Sequence, residues 1–242
     1  MNKKLIYFFI GTVLFFISLP ISTKMIMEII HNQKMNEEYK ITNLNEGYPP
    51  TDSTYNFNDH TIEIEEKIKN EGGYIDPRNN RIAIADLNLI IDGKEIDTLE
   101  DYPLRVEAEG LNRYHGDIAY LKVEDLKNEK TQFIVLLKKT KLITQEEQHE
   151  SLMVSLENLD YSLYAIDEHG VLDQESFNAT ERDALQTELL NAGVLVPYAI
   201  GYHTNALQEY PSLFFPILYP FATLVIGLIF MIFFFPLRRE RG

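Results

Sequence analysis

Two uncharged apolar runs bracket this chain and constrain it more than any other feature. Leu213 to Phe235 holds 23 residues without a charge; as a helix this extends about 35 Å, at about 1.5 Å per residue, enough to cross hydrocarbon with some tilt. Leu5 to Thr23 is also charge-free over 19 residues, about 28 Å as a helix, with Lys3 and Lys4 able to reach the interface from its start. The expectation is two transmembrane helices, 5–23 and 211–235.

Basic residues beside a span mark its cytoplasmic side. Lys3 and Lys4 precede the first run, and Arg238, Arg239 and Arg241 follow the second. These topology anchors put a stub, 1–4, and a basic tail, 236–242, in the cytoplasm. Residues 24–210 are then outside, at the cell membrane. A cleaved leader fits the first run poorly, since the nearest site, "LPIS" ending at Ser22, puts Pro20 three residues before the cut. With no cysteine, lipoprotein processing and S-palmitoylation are closed. A hydrophobic run followed by Arg-Arg resembles the tail of proteins that sortases attach to cell walls, but "EYPSLFFP" stands where the LPxTG-type pentapeptide belongs. Pro216 and Pro220 fall in the first turns of the second span, where proline costs least, and read as a helix entry with a mild kink. Neither span carries an ionisable group other than tyrosine, which disfavours a channel or proton-coupled carrier.

The outer 187 residues carry 17 Lys and Arg against 36 Asp and Glu, a net charge of −19. That field repels nucleic acid and anionic lipid and favours basic partners or divalent cations. Without disulfides, the outer fold must rest on packing. The Asn-, Ile- and Lys-rich usage fits a bacterial surface protein from an AT-rich genome.

Along the outer chain, Met25 with Ile29 and Ile26 with Ile30 continue the first helix as a stalk, 24–39, whose apolar stripe is expected to pack on the second span. "NEGYPPTDSTYNFND" reads as a turn-rich linker. "NDHTIEIEEKIKNEGG" reads as a helix capped at Asp59 and stopped by Gly72. In "RIAIADLNLIIDGKEIDTL" the apolar phase changes near Asp86, as at a bulge, and Asp92-Gly93 is a two-residue hairpin signal that puts Leu89 opposite Ile96. Strands are expected at Leu104–Ala108, Ile118–Val123, Phe133–Leu137, Leu152–Leu156, Tyr161–Ile166 and in "VLVPYAIGYH", with Phe133–Leu137 suited to a central position. "SFNATERDALQTELLNAG" reads as a helix capped by Asn178 and stopped by Gly193. The fold class expected is α+β: a mainly antiparallel β outer domain with two or three helices, flanked by the two transmembrane helices.

Motifs for chemistry are lacking. His31, His60, His115, His149, His169 and His203 are dispersed, with no HExxH or HxxxH pair to place two imidazoles on one helix face. No GxSxG elbow, SxxK pair or phosphate-binding glycine loop occurs. Asp97, Glu100 and Asp101 could meet calcium but lack the EF-hand spacing. "YHGD" and "DEHG" read as turns, and Asn178-Ala179-Thr180 matches a glycosylation sequon. Tyr114, Tyr120, Tyr161, Tyr164, Tyr198 and Tyr202 suit core and rim packing, or a binding patch if they share an exposed face.

No cofactor, metal or catalytic residue is expected. The reading is a non-enzymatic accessory, regulatory or scaffolding protein whose partner is another membrane protein or a second copy, besides the lipid bilayer. With four and seven residues inside, signals would pass laterally between helices. The layout of two terminal spans with a proline-rich entry to the second also resembles polysaccharide chain-length regulators. That resemblance implies long helices in the outer domain, from which the β-rich pattern departs. An extracytoplasmic hydrolase using scattered His and carboxylates is the third reading.

Overall fold

The computed structural model describes residues 3–44, 54–75, 81–106, 114, 116–139, 156–196, 199–205 and 217–235. The chain divides into two compact units: Met1–Lys34 with Tyr198–Gly242, and Met35–Pro197.

Helix α1 runs unbroken from Lys3 to Glu38 through Pro20, 36 residues or about 54 Å. It is long and apolar enough to cross a membrane, as is the helical segment Ile217–Phe234. Inside α1 the Thr12 and Thr23 hydroxyls donate to Phe8 O and Leu19 O at 2.9 Å, so these polar groups are satisfied within the helix.

The second unit is built on two antiparallel sheets. One has the order β1 (Tyr39–Asn43), β6 (Ile118–Asp125), β7 (Lys130–Lys138), β8 (Asp160–Asp167), β9 (Leu172–Asn178). The other has the order β2 (Thr54–Phe57), β3 (His60–Ile75), β4 (Arg81–Ile91), β5 (Lys94–Arg105). β7 is the central strand of its sheet, and its unbroken Phe-Ile-Val-Leu-Leu run buries both faces.

Strand alternation divides that run. Phe133, Val135 and Leu137 join Tyr120, Tyr164 and Ile166 in one core cluster with Ile62, Ile64, Leu87, Leu89 and Leu104 of the other sheet. Tyr55 and Tyr120 meet across the sheets at 4.6 Å, and Phe57 and Phe133 at 5.8 Å. Each such side chain contributes about 1.5–3 kcal/mol on full burial. The opposite face of the same strands, Ala119, Leu121, Ile134 and Leu136, is buried too. Helix α2 (Ala184–Ala192) lies on that side: Gln186 Nε2 donates to Glu175 Oε1 at 2.8 Å, and a Cβ at Gly193 would stand 2.7 Å from Ala119 Cβ. The unit therefore layers sheet, sheet and helix.

Several sequence expectations need correction. The helix expected over 59–72 is strand β3. Ile62 and Ile64 alternate inward against β4, and the Ile64–Ile68 spacing that suggests a helix is accidental, because Ile68 is exposed. Glu and Lys favour helix intrinsically, but pairing with β4, joined by β2 over His60–Glu63, overrides that preference. β4 itself does not change face: Ala85, Leu87, Leu89 and Ile91 all enter the core. The extra residues sit on β5, where Glu100 and Asp101 oppose Asp86, with Asp101 at φ +54°, and where Leu89 pairs with Asp97 instead of Ile96. Asp92-Gly93 does form the two-residue turn, both residues at positive φ and Ile91 paired with Lys94.

Helix α2 is capped not by Asn178 but by Asp183, which forms a capping box with Gln186; Gly193 ends it. Asn178 ends β9, and its Oδ1 accepts Thr180 N–H at 2.9 Å in a local turn. Leu104 belongs to the end of β5, and 194–196 and 199–205 hold no strand. Tyr55 and Phe57 of the expected linker form β2. The strand expected at Leu152–Leu156 falls largely outside the described residues, and Leu156–Asn158 is a 3₁₀ turn.

In the first unit, a π-helical turn, Ile217–Ala222, leads into helix α3 (Thr223–Phe234). Tyr219 breaks the helical backbone at φ −143°, ψ 124°, immediately before Pro220, where the following proline disfavours the α conformation. Pro216 and the arginines 238, 239 and 241 lie outside the described residues; Lys3 and Lys4 open α1.

Candidate functional site

The first unit carries a built polar site at Glu28. This residue follows Met25–Met27 on α1 and is fully buried, an acid inside an otherwise apolar stripe. Its Oε1 accepts the backbone N–H of Tyr202 at 3.1 Å; Oε2 accepts those of His203 at 2.8 Å and Thr204 at 3.2 Å. Three consecutive amides converge on one carboxylate. Gly201 makes the approach possible, since a Cβ there would lie 2.1 Å from Thr204 O and 2.5 Å from Glu28 Oε1. Gly201 N–H donates to Asn205 Oδ1 at 2.7 Å and closes the loop.

His31, one turn beyond Glu28, completes the clasp. Its Nδ1 is 3.0 Å from His203 Nε2 and 3.2 Å from Met27 O, and its ring lies 5.2 Å from that of Tyr202. The direction of the hydrogen bond between the two imidazoles follows the tautomer. With three amides donating to the Glu28 oxygens, the arrangement fastens a loop to a helix.

α1 and α3 pack through a narrow seam of small residues. A Cβ on Gly11 would stand 2.6 Å from Phe230 Cβ, and one on Gly227 2.7 Å from Phe15 N. Ser18 Oγ and Thr223 Oγ1 share a hydrogen bond at 2.7 Å, and Thr223 Oγ1 lies 2.9 Å from Pro220 O. Tyr7 meets Phe230 at 5.9 Å and Phe234 at 4.9 Å. Close backbones with hydroxyls paired across them are how helices associate where no water drives them together. Of the stalk stripe, Met25 is buried and Ile26, Ile29 and Ile30 are exposed; among the described residues the Glu28 clasp on 201–205 holds the stalk, and the expected packing on the start of the second span falls on 211–216, outside the described residues.

In the second unit the polar side chains of the core rim are paired. Asp97 accepts from Tyr164 OH and, at 2.5 Å, from Lys139 Nζ; Gln174 Nε2 donates to Tyr164 OH at 3.2 Å. Asp117 accepts from Tyr102 OH at 2.8 Å and Lys138 Nζ at 2.6 Å. Burial, with these carboxylates beside them, pushes the Tyr102 and Tyr164 hydroxyls well above their usual range, and burial alone takes Tyr55 to about 12. On the outer face of the β3–β4–β5 sheet, Lys69 bridges Asp86 at 2.6 Å and Asp101 at 3.0 Å, while Asn88 Nδ2 donates to Glu95 at 3.1 Å.

The acids considered for calcium are thus separated, Asp97 turned to Lys139 and Asp101 to Lys69. Among the described residues no three His, Asp or Glu side chains form a group that could hold a metal. Of the six histidines, His31 and His203 meet, His60 Nδ1 bonds Asp92 at 2.7 Å, and His115 and His149 lie outside the described residues. Tyr114, Tyr120, Tyr161 and Tyr164 are buried, which makes them packing groups and not an exposed patch; Tyr198 lies outside the described residues. Glu28 and Gly201 were missed from sequence, although an acid among Met-Ile-Met and Ile-Ile is the signal that could have marked the first.

Comparison with protein-family models, with curated proteins and with solved structures finds no match to this chain.

Proposed function

We propose that this chain is a two-span membrane protein, 5–23 and 211–235, with both termini in the cytoplasm and 24–210 outside. Its outer part acts without catalysis, as an accessory or scaffolding module that binds a partner. The observation that carries this reading is the helix pair. α1 and α3 meet through their small-residue seam and the Tyr7 contacts with Phe230 and Phe234, while Phe9, Phe16, Ile232 and Phe233 remain 68, 60, 64 and 73 % exposed. Such a belt of large apolar side chains is stable facing lipid and not facing water. The long outer helices that a chain-length regulator would need find no counterpart among the described residues beyond the end of α1, where α2 has nine residues.

The absence of cysteine makes the test direct. Single cysteines at Asn2, Lys127 and Gly242 are probed with an impermeant maleimide. Lys127→Cys is expected to label on intact cells, and Asn2→Cys and Gly242→Cys only after permeabilisation. Labelling of either terminus on intact cells, or release of the protein by alkaline carbonate, overturns the reading.

A further inference from the structure

Among the described residues β9 leaves one edge open, which the cores do not explain. Edges are normally blunted by short length, proline, bulges or cover. β2 has four residues; β5 contains Pro103 and two register shifts; β1 ends with Asn43 Nδ2 bonded to Ala192 O of α2 at 2.6 Å. β9 differs. Its seven residues pair with β8 without a register shift, contain no proline, and Asp173, Gln174, Glu175 and Ser176 are exposed.

The hydrogen-bond phase of the strand identifies which backbone groups are open. Ala179 N–H donates to Leu159 O at 2.9 Å and Asp167 N–H to Val171 O at 3.2 Å, outside the two ends of the β8–β9 ladder. Antiparallel pairs alternate between bonded and non-bonded. Asp173, Glu175 and Phe177 therefore turn their backbone groups to β8, and Leu172, Gln174 and Ser176 turn theirs outward. Among the described residues no strand takes the outer edge.

We propose that β9 is a β-augmentation site for an extended basic segment of a partner protein. Charge selects the occupant. Asp173 and Glu175 project on one face of the edge, within an outer region of net −19. A second copy is disfavoured, because antiparallel β9–β9 registers centred on Gln174 or Glu175 set acid against acid. A strand with Lys or Arg at alternate positions would meet both acids, while its backbone completes the open ladder. This deepens the proposed function by naming the partner chemistry, and it rests on the outer unit being the binding part.

The test uses the full chain in detergent micelles and two synthetic peptides of equal charge: alternating Lys and Thr, and alternating Lys and Pro, which cannot pair. The Lys–Thr peptide is expected to bind at least about tenfold tighter, and to protect 172–178 from hydrogen exchange. Ser176→Pro removes an outward N–H while sparing the β8 ladder, and is expected to bring Lys–Thr binding down to the Lys–Pro level. Asp173→Lys, an exposed substitution, is expected to weaken it as well. Equal binding of the two peptides, full binding by Ser176→Pro, or protection of β9 by dimerisation without peptide overturns the proposal. Failure here with the expected cysteine labelling sinks only the edge site; accessible termini sink the membrane reading instead.

Discussion

Gly11 and Gly227 face each other across the α1–α3 seam, each leaving room for the other's carbonyl: a Cβ on Gly11 would stand 2.8 Å from Gly227 O, and one on Gly227 2.9 Å from Gly11 O. Backbone lies on both sides, so a side chain cannot be accommodated by a rotamer change. Ser18 and Thr223, with hydroxyls 2.7 Å apart, report on the same seam. Ser18→Cys with Thr223→Cys is expected to oxidise to an intramolecular disulfide, the sulfurs needing about 2.05 Å. Adding Gly11→Leu costs about 1–3 kcal/mol of overpacking, and cross-linking measured on non-reducing gels should fall about tenfold.

At Glu28 the expected effect depends on which atoms are removed. Glu28→Ala leaves the N–H groups of Tyr202, His203 and Thr204 without their acceptor. An orphaned buried donor costs about 1–3 kcal/mol, so the loop should open. Hydrogen exchange at these three amides is expected to accelerate strongly in Glu28→Ala and less in Glu28→Gln, which keeps one acceptor oxygen. Unchanged exchange would show that Glu28 does not hold the loop.

Acid should destabilise the second unit, with a sign set by carboxylates held below their ordinary range. The Lys69 hydrogen bond lowers Asp86, His60 lowers Asp92, the Asn128 side chain lowers Asp125, Val171 N–H lowers Asp167, and Lys122 lowers Glu124. Their ordinary values are 3.8 for Asp and 4.5 for Glu. A depressed folded pKa contributes stability that is fully present above the unfolded value and is lost as pH falls through the folded one. The melting temperature is therefore expected to vary little from these groups above about pH 5.5 and to fall below about pH 4. Lys69→Met should reduce the acid-dependent part of the loss, as followed by scanning fluorimetry.

Much of the second unit is legible because its signals are local. Asp92-Gly93 can satisfy two positive φ angles in a row, and the apolar run of β7 suits a strand buried on both faces. β3 is not legible, since Glu65, Glu66 and Lys67 carry helix preference and only their pairing with β4 enforces extension. The Glu28 clasp lies beyond local reading: His31 and His203 are 172 positions apart, and nothing near either one points to the other. Ser18 and Thr223 are an intermediate case. They are among the few hydroxyls in their spans, and pairing them satisfies both inside an apolar layer.

Asp97 offers the sharpest contrast between a paired rim charge and a surface one. It joins the two sheets, accepting from Tyr164 OH on β8 and from Lys139 Nζ after β7, and Tyr164 is fully buried. Removing one partner of a buried pair costs about 3–5 kcal/mol. The Asp97 and Lys139 side chains are 19 % and 29 % exposed, which lets water repay part of that cost, so Asp97→Ala is expected to lose about 2–3 kcal/mol. Asp97→Asn, which keeps an acceptor, should lose less. Lys40 pairs with Glu124 at 3.1 Å but is 63 % exposed, so Lys40→Ala should change stability by no more than about 0.5 kcal/mol. Urea midpoints for the three variants decide between these outcomes: equal losses for Asp97→Ala and Lys40→Ala would show that the Asp97 cluster is solvated and does not tie the sheets together.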